Sequence, residues 1–169
     1  SSYILDAANN HLTGYAGLTQ GAAELIIHFA NQELKDTYVP NMLTGKWGGT
    51  MCLTEPQAGS SLSDIVTKAT PTEDGHYHIS GQKIFISGGD NQFSENIVHL
   101  LLARMEGAPK GTKGISLFVV PKNRPDGKGG LVSNDVTTVA DFQKMGQRGY
   151  CTTHLGFGDS EDCQGYLVG

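Results

Sequence analysis

The sequence predicts a mainly β chain with a helical lead-in: an antiparallel β-barrel or sandwich preceded by short helices. Three observations carry this. Glycine occurs 23 times in 169 residues, about twice the usual share, while 17% of residues are charged and 38% apolar. From Trp47 onward, short apolar or alternating runs are separated by Gly, Asn or Asp, as in an all-β domain. Before Trp47 the apolar residues follow a helical period instead.

In the lead-in, Leu18, Ala22, Leu25, Ile26 and Phe29 fall on one face of a 3.6-residue helix. An earlier segment, Tyr3 to Leu12, reads as another helix end. Asn31, two positions before Glu33, is an N-cap for a short helix that Pro40 stops from continuing unchanged. The helices are too small to bury an apolar face alone, so they must pack on the β part or on further helices. The expected strands are Gly49–Thr54, Ile65–Pro71, His76–Ser80, Lys83–Ser87, Ile97–Arg104, Ile115–Val120, Asp135–Val139, His154–Phe157 and Cys163–Val168. Asp74-Gly75, Ser80-Gly81 and Asp126-Gly127 have the chemistry of tight turns. Residues Lys122 to Gly130 read as an exposed loop.

Composition excludes several classes of function. A net charge of −5 leaves no basic footprint for nucleic acid. No apolar run approaches the roughly 18 residues of a membrane span; the longest, Ile97 to Ala103, is interrupted by His99. Three cysteines (Cys52, Cys151, Cys163) do not make a disulfide framework, and no N-x-[ST] sequon occurs, which points to a reducing compartment. Ser1-Ser2-Tyr3-Ile4 has neither an initiator Met nor the pattern of a signal peptide, so the expectation is a chain cut from something longer.

Walker A, G-x-G-x-x-G, H-E-x-x-H and G-x-S-x-G sequences are missing. His76 and His78 share a strand face, but no third ligand is placed by spacing. Cys151, His154 and Cys163 lack the paired spacing of a structural zinc site, so no metal site is expected.

Two segments carry more. In Met51-Cys-Leu-Thr-Glu-Pro-Gln-Ala-Gly-Ser-Ser61 a strand ends at Thr54, and the following turn can bring backbone close to a ligand. Thr54, Ser60 and Ser61 offer neutral hydroxyls suited to a heterocycle edge or a phosphate; an ordinary strand-to-loop turn is the alternative. In His78-Ile-Ser-Gly-Gln-Lys-Ile-Phe-Ile-Ser-Gly-Gly89, strict alternation sets Lys83, Phe85 and Ser87 on one face and Ile84 and Ile86 on the core face. An aromatic and a hydroxyl then stand together where they meet a flat polar ring, or where another domain covers them.

T-E-P-x-A-G-S followed some twenty residues later by G-x-K-x-F-I-S resembles the central β domain of the acyl-CoA dehydrogenase family. Leu101-Leu102-Ala103-Arg104, Gly114-Ile-Ser-Leu-Phe-Val-Val-Pro121 and Lys144-Met-Gly-Gln-Arg-Gly149 match in register. The wording from Trp47 to Pro56 is most similar to the long bacterial branch that includes methylmercaptopropionoyl-CoA dehydrogenase. The resemblance implies residues 1–46 as the C-terminal part of an N-terminal helical domain and 47–169 as the middle β-barrel domain. The family's C-terminal helical domain, which holds the catalytic Glu, is not in this chain.

The implied activity is oxidation of an acyl-CoA to its 2,3-enoyl-CoA, with an α-proton going to a carboxylate and a β-hydride to FAD. By motif position, Met51, Cys52, Leu53, Thr54, Gly59, Ser60, Phe85, Ile86 and Ser87 line the FAD, and Ser60 also reaches toward the acyl-CoA. Fixed hydroxyls and an apolar face suit a reactive flavin ring. Ser61 stands where most relatives have Asp, and Glu55 belongs to the cradle rather than serving as base. The implied setting is a bacterial cytoplasmic enzyme, a homo-oligomer at full length, that passes electrons to an electron-transfer flavoprotein. An acyl-CoA oxidase domain and a non-catalytic β-barrel binding module are the alternatives.

Overall fold

The computed structural model describes residues 2–169. Helix α1 (Ser2–Phe29) is broken at Asn9 (φ −162°, ψ 90°), whose side chain accepts the His11 N–H at 3.1 Å and so caps the longer second piece. This break is the early helix end read from the sequence. Helix α2 (Gln32–Leu43) begins as expected, with the Asn31 side chain accepting the Leu34 N–H at 2.9 Å. Pro40 does not end it, contrary to expectation; it lies within the helix, which runs on to Leu43.

The strands are β1 (Trp47–Cys52), β2 (Lys68–Pro71), β3 (Tyr77–Ser87), β4 (Asn96–Met105), β5 (Ile115–Pro121), β6 (Asn123–Pro125), β7 (Leu131–Ser133), β8 (Val136–Asp141), β9 (Thr152–Phe157) and β10 (Gln164–Leu167). Strand β4 pairs with β5, β5 with β10, β10 with β3, β3 with β2 and β2 again with β4, which closes a barrel. Strand β1 lies outside that ring against β4, and β9 and β8 extend it from β3.

Three sequence expectations are corrected. The sheet is not purely antiparallel, because β1 and β2 each run parallel to β4. Ser80-Gly81 is not a turn: β3 runs straight through it, so two expected strands are one strand of 11 residues. The stretch Lys122–Gly130 is not all loop, since β6 pairs with β7 across a turn at Asp126–Gly130.

Burial explains why β4 reads as a continuous apolar run. Val98 and Leu100 face the helices, packing with Ala22, Ala23, Ile26, Leu34, Tyr38 and Trp47. Leu101 and Ala103 face the barrel interior with Cys52, Ile79, Ile86, Phe118, Leu155 and Phe157. A strand covered on both faces loses its polar alternation. The helices therefore dock on the β part. Ile26 is fully buried, whereas Phe29, expected on the same face, is 62% exposed, and Ala23 and Ala30 take the contact instead. At Gly49 a Cβ would lie 2.8 Å from Ala22 Cβ, so only glycine lets α1 come this close. The Gly49 N–H donates to Thr19 Oγ1 at 3.0 Å and fixes that approach.

Candidate functional site: an exposed shelf on the barrel wall

The two segments singled out in the sequence meet. Strand β1 ends at Cys52, and the chain continues as Leu53-Thr54 alongside β3, where the Ile84 N–H donates to the Thr54 carbonyl at 2.9 Å. A tight turn follows, with reciprocal backbone bonds between Glu55 and Ala58 at 2.8 and 3.1 Å. Gly59 and Ser60 lie beyond the turn and are exposed.

Phe85 is the least ordinary residue of the site. Its φ is 57°, and the pairing register of β3 against β9 shifts between Lys83 and Ile86. A bulge of this kind adds one residue and reverses the inside–outside parity. The expected face of Lys83 is thereby corrected, since Lys83 points into the barrel, while Phe85 faces outward and Ile86 the core, as expected. Phe85 is 55% exposed, with its ring tilted against Phe142 at a centroid separation of 4.5 Å. A bulky residue held at positive φ is strained and persists only where its surroundings fix it.

Of the residues expected at the site, Met51 and Phe85 present exposed apolar surface, and Leu53, Thr54 and Ser87 are half-buried. Cys52 and Ile86 lie in the barrel core, so only their backbone borders the shelf. Burial pushes the Cys52 thiol up to about 12, with the Thr50 hydroxyl and Lys83 opposing, which keeps it unreactive. Ser61 bonds Ser63 at 3.1 Å and touches none of the shelf residues through a hydrogen bond. A groove of about 690 Å³ lies elsewhere, between α1 and the start of β1; it borders Gly88 but not Thr54, Phe85 or Ser87. The candidate site is thus a shelf rather than a closed pocket.

Beneath the shelf is a pair that sequence reasoning missed. Lys83 and Glu55 are buried side by side, Nζ to Oε1 at 2.8 Å, with side chains 0% and 1% exposed. Lys83 also donates to the Leu53 carbonyl at 3.1 Å. Glu55 Oε1 accepts the Thr67 N–H at 3.0 Å, and Oε2 accepts the Val66 N–H at 2.8 Å and Gln57 Nε2 at 2.6 Å. Burial would raise the Glu55 pKa, but Lys83 and these N–H donors hold it below the ordinary carboxylate value. Phe142 was missed as well, because its pairing with Phe85 is found only through the fold. The signal available for Lys83 was a lone cation within an Ile-Phe-Ile strand, and strict alternation had placed it outside.

His76 and His78 stack edge to face at 5.4 Å, and no group of three metal-binding side chains occurs among the described residues. No helix among them is long and apolar enough to cross a membrane.

Fold and site together define a β-barrel domain with helices docked on one wall. The family described as acyl-CoA dehydrogenase, middle domain, matches residues 50–160. Butyryl-CoA dehydrogenase of Syntrophomonas wolfei is 46% identical over 90% of this chain and 25% of its own length. 3-Methylmercaptopropionyl-CoA dehydrogenase of Ruegeria pomeroyi is likewise 46% identical, over 90% of this chain and 26% of its own length. The solved acyl-CoA dehydrogenase of Bacillus anthracis, complexed with FAD, superposes with a TM-score of 0.65 at 28% identity, over 86% of this chain and 22% of that one. The chain belongs to the acyl-CoA dehydrogenase family. It spans about a quarter of the length of the curated relatives it matches.

Proposed function

We propose that this chain forms the flavin shelf of an FAD-dependent acyl-CoA dehydrogenase that converts an acyl-CoA thioester to its 2,3-enoyl-CoA. The observation that carries the reading is Phe85, held outward at φ 57° next to the Thr54 segment. The residues present fit the group. An exposed aromatic, Met51 and the half-buried hydroxyls of Thr54 and Ser87 make an apolar edge with neutral hydrogen-bonding groups and no free charge. Bound FAD would accept the hydride leaving the substrate β-carbon.

The chain's own residues bind and orient. Phe85, backed by Phe142, covers the ring and excludes water; the hydroxyls of Thr54 and Ser87 meet its polar edge. Gly59 has open space around its backbone, and with Ser60 it forms the outer border toward the acyl-CoA. The α-proton goes to a carboxylate outside this chain. Glu55 does not serve, because its two oxygens are taken by Lys83 and three further donors. By itself the chain then supports no turnover.

On this reading, residues 1–46 close an N-terminal helical domain and 47–169 are the middle domain. Exposed Tyr3, Ile4, Leu5 and Leu12 on α1 support further packing there. The whole protein is read as a cytoplasmic oligomer delivering electrons to an electron-transfer flavoprotein, in keeping with its family.

The test is an FAD titration of the chain followed by flavin fluorescence, with Phe85→Ala in parallel. Saturable quenching, weaker in the variant, is expected. Equal quenching in both proteins would show that Phe85 does not touch the ring.

A further inference from the structure

We infer that the buried Lys83–Glu55 pair is a positioning clamp that sets the spacing between the Thr54 segment and the Phe85–Ser87 bulge, and so the geometry of the flavin shelf. This rests on the flavin reading of that shelf.

The argument is in what the two charges hold. Burying an ion pair is costly, and apolar side chains of similar volume fill a barrel interior at least as well. Apolar side chains cannot bind the backbone, and here every remaining bond but one goes to backbone. Lys83 takes the Leu53 carbonyl, at the start of the 53–67 segment. Glu55 takes the N–H groups of Val66 and Thr67, at its end. One pair therefore closes both ends of the segment that carries Thr54. Lys83 stands two positions before Phe85 on the same strand, so the closed segment is tied directly to the bulge. The Ile84 N–H to Thr54 carbonyl bond, 2.9 Å, is the neighbouring link and inherits its register from the clamp. Shelf residues on two distant parts of the chain are thus spaced by charges that touch neither the ring nor the solvent.

The experiment uses the whole protein with Lys83→Met/Glu55→Gln, which leaves no buried charge and keeps one acceptor oxygen, enough for either the Val66 or the Thr67 N–H. Amide exchange, FAD affinity, the visible spectrum of the bound flavin and its reduction potential are measured. Asn31→Ala, which weakens the protein at α2, controls for lost stability. The expected result is a folded double variant with faster exchange at the Leu53–Thr67 segment. Its FAD dissociation constant rises about tenfold or more, with a shifted spectrum and potential, and Asn31→Ala shows none of these. Wild-type FAD affinity, spectrum and potential in the folded double variant would overturn the clamp. So would equal losses in Asn31→Ala. Should the double variant not fold, Glu55→Asp, which keeps both charges and both acceptor oxygens but shortens the clamp by one methylene, is read the same way, with a smaller expected effect. A wild-type protein that takes up no FAD overturns the flavin reading and this proposal with it; normal uptake with an indifferent variant overturns the clamp alone.

Discussion

Phe85 shows how one residue can work against the stability of its own strand. A non-glycine residue in the left-handed region costs roughly 1–2 kcal/mol, and more than half of this side chain is exposed, so its own burial returns little. Replacing it with glycine removes the strain and little packing. Phe85→Gly is expected to unfold at about 1 kcal/mol higher free energy in denaturant while losing FAD affinity. A variant both less stable and equally good at binding would contradict the assignment of Phe85 to the shelf. His99 is the buried counterpart. Its Nδ1 pairs with the Thr50 hydroxyl at 2.8 Å, its ring stands edge-on to Phe157, and Nε2 has no hydrogen-bond partner. Burial, reinforced by Lys122 and opposed by Asp90, pushes its pKa down to about 3, so it stays neutral.

Among the elements, α2 depends on one side chain at its start. The Asn31 carboxamide accepts the Leu34 N–H at 2.9 Å, and Glu33 adds negative charge to the first turn. Asn31→Ala is expected to cost about 1 kcal/mol, read as a lower denaturation midpoint at unchanged slope. The cost reaches the whole molecule because Leu34 and Tyr38 of this helix are buried against the outer wall of the barrel. Strand β3 shows the opposite economy. Its bulge interrupts the ladder with β9, and the Thr153 hydroxyl, donating to the Ile86 carbonyl at 3.2 Å, supports the interruption from the neighbouring strand.

At the scale of the molecule, acid should unfold this protein in two stages. His99 has a folded pKa of about 3 against an ordinary 6.5. The unfolded chain therefore takes up a proton that the folded one refuses, and stability falls as the pH drops below 6.5. For one proton the slope is about 1.4 kcal/mol per pH unit. Glu55 and Asp90 are also held below their ordinary values, 4.5 and 3.8, by Lys83 and Lys122 and by the N–H and hydroxyl donors around them, against burial that would raise both. Their contribution is complete above those values and is lost as the pH falls through the folded ones. Denaturant titrations at stepped pH should show the gentle stage first and a steeper one below about pH 4.5. In His99→Gln, which can keep the bond to Thr50, the first stage should vanish and the second remain. A first stage unchanged in that variant would place its origin elsewhere.

Much of this was legible along the chain. The Asn31 cap, the helical lead-in, the strand run from Trp47 and the turns at Asp74-Gly75 and Asp126-Gly127 follow from local propensity, and each appears where local chemistry puts it. Thr54 and Phe85 were reached by motif, and the fold brings their segments together. What the sequence by itself determined was therefore the class of the domain and the residue types of its shelf. Only the tertiary structure decided that β1 and β2 run parallel to β4, that Phe29 faces outward, and that Lys83 lies inside the barrel with Glu55. Pairing direction depends on segments far apart in the chain, and side-chain parity on β3 is reversed by a bulge that depends on its pairing with β9. A period of two residues assigns faces only until one residue is inserted against a partner strand, and that partner is known only once the barrel has closed.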